Sequence, residues 1–228
     1  MENVITDRNF LSSPEENIHQ PLIVRWMAHF FSLIFHPLFI PAIATWYIVF
    51  LQPGYFVGTP SGEKAMVLAR VAFNTILFPA LTVLLLKAVG FIKSIFLKTQ
   101  RERIIPYITT NIFYFWMYLV FKSQEEIPLI LTSFILGIFL ASSIALIANI
   151  YFKISMHALG VGAFSGLMMV IIFSGFSYAI FLPAMIVFLI SGLVCTSRLV
   201  VSNHTSFDIY AGLLFGILCQ FVAYAVVV

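Results

Sequence analysis

Long apolar stretches, separated by short polar connections, dominate the chain after residue 24. Seven stretches approach or exceed the roughly 20 residues that a helix needs to span a bilayer. Their approximate bounds are Trp26–Leu51, Ala65–Val89, Ile104–Phe121, Ile127–Phe152, His157–Ser177, Ile180–Val200 and Phe207–Val228. The connections carry Pro and Gly, as in 52–64, or charge, as in 122–126. The pattern predicts an all-α, polytopic transmembrane helix bundle of six or seven segments.

The composition narrows the class of protein further. Of 228 residues, 61% are hydrophobic and only 9% are charged, far more apolar than a soluble domain of this size needs. The net charge of +3 is too small to favour nucleic acid as a partner. Cys195 and Cys219 lie in apolar stretches and imply no disulfide framework. We predict an integral membrane protein that binds no nucleic acid.

The chain divides into a polar tail, residues 1–24, and a single transmembrane domain, residues 25–228. The tail lacks the basic region and short apolar core of a cleavable signal peptide. If the tail's side of the membrane is called the near side, seven segments place the connections 90–103, 153–156 and 201–206 all there. The residues that could bind a ligand or take part in catalysis lie in or beside these connections: Lys98, Arg101, Arg103, His157, Arg198, His204 and Asp208. We expect these three connections to converge on one site.

The first two connections carry cations and a histidine. Lys98, Arg101 and Arg103 form either a basic juxtamembrane loop that follows the positive-inside rule or a phosphate-binding cluster. His157 is either an ordinary interfacial histidine or a general acid that protonates a leaving oxygen. Ser155 precedes an apolar run and could cap the helix that follows it, whose N-terminal amides would then face an anion.

The third connection, Ser197–Asp208, is the densest in polar groups. Arg198 offers a planar guanidinium suited to a phosphate. His204 and Asp208 are four residues apart, so on a helix they would share a face and the carboxylate could orient the imidazole. Thr205 or Ser206 could cap the last helix, placing His204 at its positive end. An oriented imidazole beside a guanidinium suits a histidine nucleophile that attacks a phosphoester.

Two further patterns concern packing. Gly162 and Gly166, and likewise Gly212 and Gly216, form G-x-x-x-G motifs that permit close approach of helices. These motifs follow His157 and Asp208, and could bring the starts of the two helices together. His36 lies inside the first apolar stretch, and we interpret it as a packing position.

The polar residues of these three connections, taken in order, resemble the sequence motifs of the type 2 phosphatidic acid phosphatase superfamily. This superfamily is related to the vanadium haloperoxidases. That family shows K-x6-R-P, then P-S-G-H, then S-R-x5-H-x3-D. The third motif is matched at full spacing by Ser197, Arg198, His204 and Asp208. In the second, Ser155 and His157 match, whereas Ile154 and Met156 replace Pro and Gly. In the first, Lys98 and Pro106 match, whereas Ile105 replaces Arg.

The resemblance implies a phosphatidic acid phosphatase-like core and a role for each matching residue. His204 would be the nucleophile, Asp208 its orienting group and His157 the general acid. Lys98 and Arg198 would bind phosphate, helped by the amide and hydroxyl of Ser155. Arg101 or Arg103 could supply the cation that is missing at Ile105.

The expected function is hydrolysis of a lipid or isoprenoid phosphate or diphosphate, without a metal or other cofactor, and the expected location is a bacterial inner membrane. The alternatives are a catalytically degenerate member that binds phospholipid headgroups or has a structural role, and a transporter of anionic lipid. Positive charge is concentrated on the near side, which favours a cytoplasmic site, whereas the resemblance favours a site facing away from the cytoplasm. The oligomeric state stays open.

Overall fold

The fold is all-helical throughout the described part of the chain. A computed structural model describes residues 21–97, 99–175, 178–202 and 204–228. Its α-helices are α1 Leu22–Ile34, α2 Ile40–Trp46, α3 Ser61–Ala72, α4 Phe78–Ala88, α5 Gln100–Lys122, α6 Leu129–Tyr151, α7 Met156–Phe173, α8 Phe181–Val201 and α9 Ser206–Val227. A π-helical turn, Tyr47–Leu51, extends α2, and another, Phe73–Leu77, joins α3 to α4.

Six helices among the described residues are long and apolar enough to cross a membrane. They are the continuous α3–α4 segment Ser61–Ala88 and the helices α5 to α9. The prediction of a helical membrane bundle with six or seven segments is therefore confirmed, with six. Lys98, Ser177 and the 20 residues of the tail that precede Pro21 lie outside the described residues.

The first predicted segment, Trp26–Leu51, is wrong as a single span. The chain leaves the helix after Ile34 and starts α2 only at Ile40. Pro37 explains the break, because proline lacks an amide hydrogen and disfavours the helical conformation of the residue before it. The 13 residues of α1 reach about 20 Å, short of the roughly 30 Å hydrocarbon core of a bilayer.

Helices α7 and α9 make the most extensive helix–helix contact, and glycine makes it possible. A Cβ atom on Gly162 would overlap the carbonyl of Leu213, and one on Gly216 would overlap the carbonyl of Leu159. A Cβ on Gly212 would lie 2.8 Å from the carbonyl oxygen of Ser155. The prediction that the two G-x-x-x-G motifs permit close packing is confirmed, since they pack against each other's helix.

The connections that carry the candidate residues meet at one end of the bundle. The side-chain amide of Asn149, near the end of α6, donates a 2.9 Å hydrogen bond to the carbonyl of Gln100 at the start of α5. The amide of Ser155, just before α7, donates a 3.1 Å hydrogen bond to the carbonyl of Asp208 in the first turn of α9. We call this end of the bundle the polar end.

Candidate functional site

Two capped helix N-termini lie side by side at the polar end. The Ser155 hydroxyl accepts a hydrogen bond from the amide of Ala158 and caps α7. The Thr205 hydroxyl accepts from the amide of Asp208 at 3.2 Å and caps α9. Both predicted caps are therefore present, with Thr205 rather than Ser206 in the second position. The partial positive charge of two helix ends is directed at this region, which favours an anion there.

His204 and Asp208 are in contact, although not through one helical face as expected. Helix α9 begins at Ser206, so His204 precedes the helix and its cap. The Asp208 carboxylate folds back, and its Oδ2 accepts a 2.8 Å hydrogen bond from the amide of Thr205. The same oxygen lies 3.7 Å from His204 Nδ1. That distance is too long for a hydrogen bond, so the carboxylate acts on the imidazole through charge and contact.

His157 and Arg198 meet at the C-terminal end of α1. His157 Nε2 lies 3.0 Å from the carbonyl oxygen of Ser32. Arg198 Nη1 donates a 3.4 Å hydrogen bond to the hydroxyl of the same serine. The charge of Arg198 acts on the His157 ring, and so does that of His204 when it is protonated. The structure thus brings His157, Arg198 and His204 together from α7, α8 and the connection before α9.

Of the two arginines that could replace the cation missing at Ile105, Arg103 joins this cluster. It is half-buried, its Nε donates a 3.0 Å hydrogen bond to the carbonyl of Leu97, and its charge acts on His204 and Arg198. Arg101 is exposed, and the described residues give it no hydrogen bond or ion pair. Lys98 lies outside the described residues, so its predicted phosphate contact stays a prediction.

Lys153 is a further cation of the site, outside the motifs that the resemblance supplied. It lies between α6 and α7, and burial and the nearby Arg103 lower its pKa. It also acts electrostatically on Arg198 and His204. Three cations therefore surround His204, against a single carboxylate from Asp208.

Electrostatics keep the His204 imidazole neutral near pH 7. Burial, followed by the charges of Arg198, Arg103 and Lys153, lowers the pKa of His204 to about 4, against a smaller opposing effect of Asp208. Its side chain is only 6% exposed. His204 Nδ1 and Arg198 Nε are buried without a hydrogen-bond partner among the described residues. A neutral imidazole inside a net positive, incompletely satisfied site is suited to receive an anion.

The amide and hydroxyl of Ser155, which were expected to bind phosphate, are both engaged in hydrogen bonds within the protein. It is fully buried, its amide is bonded to Asp208 and its hydroxyl accepts from Ala158. A phosphate contact from this amide would require the Ser155–Asp208 bond to open. What the structure shows for Ser155 is the joining of α7 to α9.

Sequence reasoning missed two neighbours of His157. The ring centroid of His36 lies 5.2 Å from that of His157, with the ring planes at 83°. Burial and the nearby Arg198 lower the pKa of His36. The sequence contained a signal for His36, because a histidine before a proline is unusual in an apolar stretch. It contained no signal for Ser32.

The described residues contain no group of three or more His, Cys, Asp or Glu side chains arranged to hold a metal ion. The chain matches no family model, no curated protein and no solved structure. A functional assignment must therefore come from the chemistry of the site.

Proposed function

We propose that this protein is an integral membrane phosphatase that hydrolyses a lipid or isoprenoid phosphate or diphosphate through a histidine nucleophile. The observation that carries the proposal is a neutral, buried His204 among Arg103, Lys153 and Arg198, with His157 close by. The cations exceed the one carboxylate by two, which matches the charge of a phosphomonoester dianion. The similarity to the type 2 phosphatidic acid phosphatase superfamily, and residence in a bacterial inner membrane, belong to the same proposal.

The nucleophile is Nε2 of His204, because Nδ1 is the nitrogen that faces Asp208. A neutral imidazole has a lone pair available for attack on phosphorus, and attack turns it into a cationic phosphohistidine. The Asp208 carboxylate stabilises that cation as it forms. The guanidinium of Arg198, helped by Arg103 and Lys153, stabilises the charge on the phosphoryl oxygens.

His157 is the general acid in this proposal. It gives a proton to the leaving oxygen as the phosphorus–oxygen bond breaks, and later accepts one from the water that hydrolyses the phosphohistidine. The reaction uses no metal or cofactor. The site lies at one end of apolar helices, so the tail of a lipid or isoprenoid substrate can stay among them while its phosphate reaches the cations.

A second candidate function is binding of phospholipid headgroups without turnover. It is favoured by the motif positions that have changed, Ile105, Ile154 and Met156, and by the burial of Ser155. The same cations would hold a headgroup phosphate whether or not His204 attacks it.

Phosphate release distinguishes these two functions. Purified protein in detergent is given dioctanoyl phosphatidic acid or farnesyl diphosphate, and the wild type is compared with His204→Asn. The matched control is His29→Asn, because His29 is an exposed histidine on α1. Release by the wild type and His29→Asn but not by His204→Asn supports the phosphatase. Binding of both substrates without any release supports the headgroup-binding alternative and overturns the phosphatase.

A further inference from the structure

The turn between α1 and α2, residues 35–39, brings a fourth segment of the chain to the site. Pro37 packs on α7, where a Cβ added to Gly160 would lie in ordinary contact, 3.6 Å from Pro37. Gly160 is three residues after His157, hence on the same face of the helix. The end of α1 and the turn after it therefore rest on the face of α7 that carries His157.

Ser32 contacts two groups of the site at once. It lies in the last turn of α1, where a helix leaves its carbonyl groups without intrahelical partners. Its carbonyl is 3.0 Å from His157 Nε2, and its hydroxyl accepts from Arg198. A carbonyl oxygen can only accept, so the proton in this bond resides on His157 Nε2. The negative end of the α1 dipole also favours the positive charge of Arg198.

His36 fixes the ring of His157 from the side. The two rings meet edge to face, with centroids 5.2 Å apart. His36 Nδ1 accepts a 3.4 Å hydrogen bond from the amide of Leu38, which ties the ring to its own turn. With Nε2 bonded to Ser32, the nitrogen of His157 that has no hydrogen-bond partner among the described residues is Nδ1.

We propose that the end of α1 and the turn after it position His157: the Ser32 carbonyl holds its Nε2–H, His36 packs against its ring, and Nδ1 exchanges the proton with the substrate. Ser32 would thus orient His157 through a hydrogen bond, whereas Asp208 acts on His204 through its charge. The proton exchange rests on the proposed phosphatase function, whereas the orientation of His157 does not.

The proton balance follows from this orientation. A bound phosphate dianion stabilises the imidazolium form of His157 against the burial and the Arg198 charge that oppose it. When the phosphorus–oxygen bond breaks, the imidazolium gives its Nδ1 proton to the leaving oxygen and keeps its Nε2 proton, which stays bonded to the Ser32 carbonyl. In the second half-reaction, Nδ1 takes a proton from water as its oxygen bonds to phosphorus and the bond between phosphorus and His204 breaks. The imidazolium is restored, and inorganic phosphate leaves.

The orientation is tested without any activity measurement by ¹⁵N NMR of the full chain labelled at histidine in detergent. His157→Gln assigns the signal. We expect neutral His157 to carry its proton on Nε2. Neutral His157 with its proton on Nδ1 and none on Nε2 would overturn the proposal, whatever the enzyme does.

Kinetics test the role of His36. His36→Ala should lower kcat on the order of tenfold, as for other groups that orient a functional histidine, with KM nearly unchanged. His36→Phe keeps an aromatic edge against His157 and should restore most of the turnover. His29→Ala is the matched control and should behave as wild type, and all variants should elute as the wild type does on gel filtration. Wild-type kcat in His36→Ala would overturn the positioning role. If the wild-type protein itself releases no phosphate, the proposed function fails, and the NMR result alone decides the orientation.

Discussion

The main-chain amide of Ser155 donates a 3.1 Å hydrogen bond to the carbonyl oxygen of Asp208. This bond joins the residue that caps α7 to the first turn of α9. His157 is two residues after one partner, and His204 is four residues before the other. Main-chain contact therefore holds together the two helix starts beside which the histidines lie.

Asp208→Asn should lower turnover by about 10²–10⁴-fold while preserving the fold. The neutral amide cannot stabilise the cationic phosphohistidine of the proposed reaction, yet its oxygen can still accept from the amide of Thr205. Asp208→Ala also loses the bond that the carboxylate accepts from the Thr205 amide, and should destabilise the protein by about 1 kcal/mol. Single-turnover kinetics and thermal unfolding measure the two effects. Undiminished turnover in Asp208→Asn would remove Asp208 from the mechanism.

Arg103→Ala should raise KM by roughly 10–100-fold, the effect of losing a charge-assisted hydrogen bond. Arg101→Ala is the matched control, since Arg101 is exposed and two residues away. It should leave KM close to the wild-type value. Steady-state kinetics with dioctanoyl phosphatidic acid measure both. Equal effects of the two substitutions would show that general positive charge, not a specific contact, matters here.

Gly216→Ala should destabilise the bundle by about 2 kcal/mol, because the added methyl overlaps the carbonyl of Leu159 and forces α7 from α9. Gly192→Ala is the matched control: a Cβ there meets nothing within 4 Å, and alanine favours a helix. It should be neutral or slightly stabilising. Thermal unfolding in detergent compares them, and equal midpoints would contradict the packing of α7 on α9.

Stability should fall as the pH is lowered from about 6.5 to about 4. The pKa of His204 is about 4 in the folded protein and near 6.5 in an unfolded chain, so in this window the unfolded chain binds more protons. Above about 6.5 this contribution to stability is fully present and constant. His36, whose pKa is also lowered, acts in the same direction. His204→Gln should therefore flatten part of the slope of the thermal midpoint against pH, and an unchanged slope would show that His204 does not titrate in this way.

Local sequence patterns predicted those parts of the structure that depend on a few neighbouring residues. The caps at Ser155 and Thr205 are such patterns, because a capping side chain bonds to an amide three residues ahead. The glycine motifs were likewise readable, since their spacing places both members on one helix face. The six long membrane helices followed from the length of the apolar stretches.

Contacts between residues far apart in the sequence could not be predicted from such local patterns. Ser32 meets His157 across 125 positions, and no local pattern in the sequence indicates this pairing. Arg101 and Arg103 illustrate a second limit. Two residues apart on a helix means about 200° of rotation, so the two arginines point in nearly opposite directions. The sequence allowed that one of them faces the site, but the way α5 packs decides which.

The glycines between α7 and α9 affect how the site responds to substitutions around it. Where two backbones meet with no side chain between them, no change of rotamer can repack the contact. The two helices therefore behave as a single solid body, and the histidines at its end keep their spacing when surrounding side chains are exchanged.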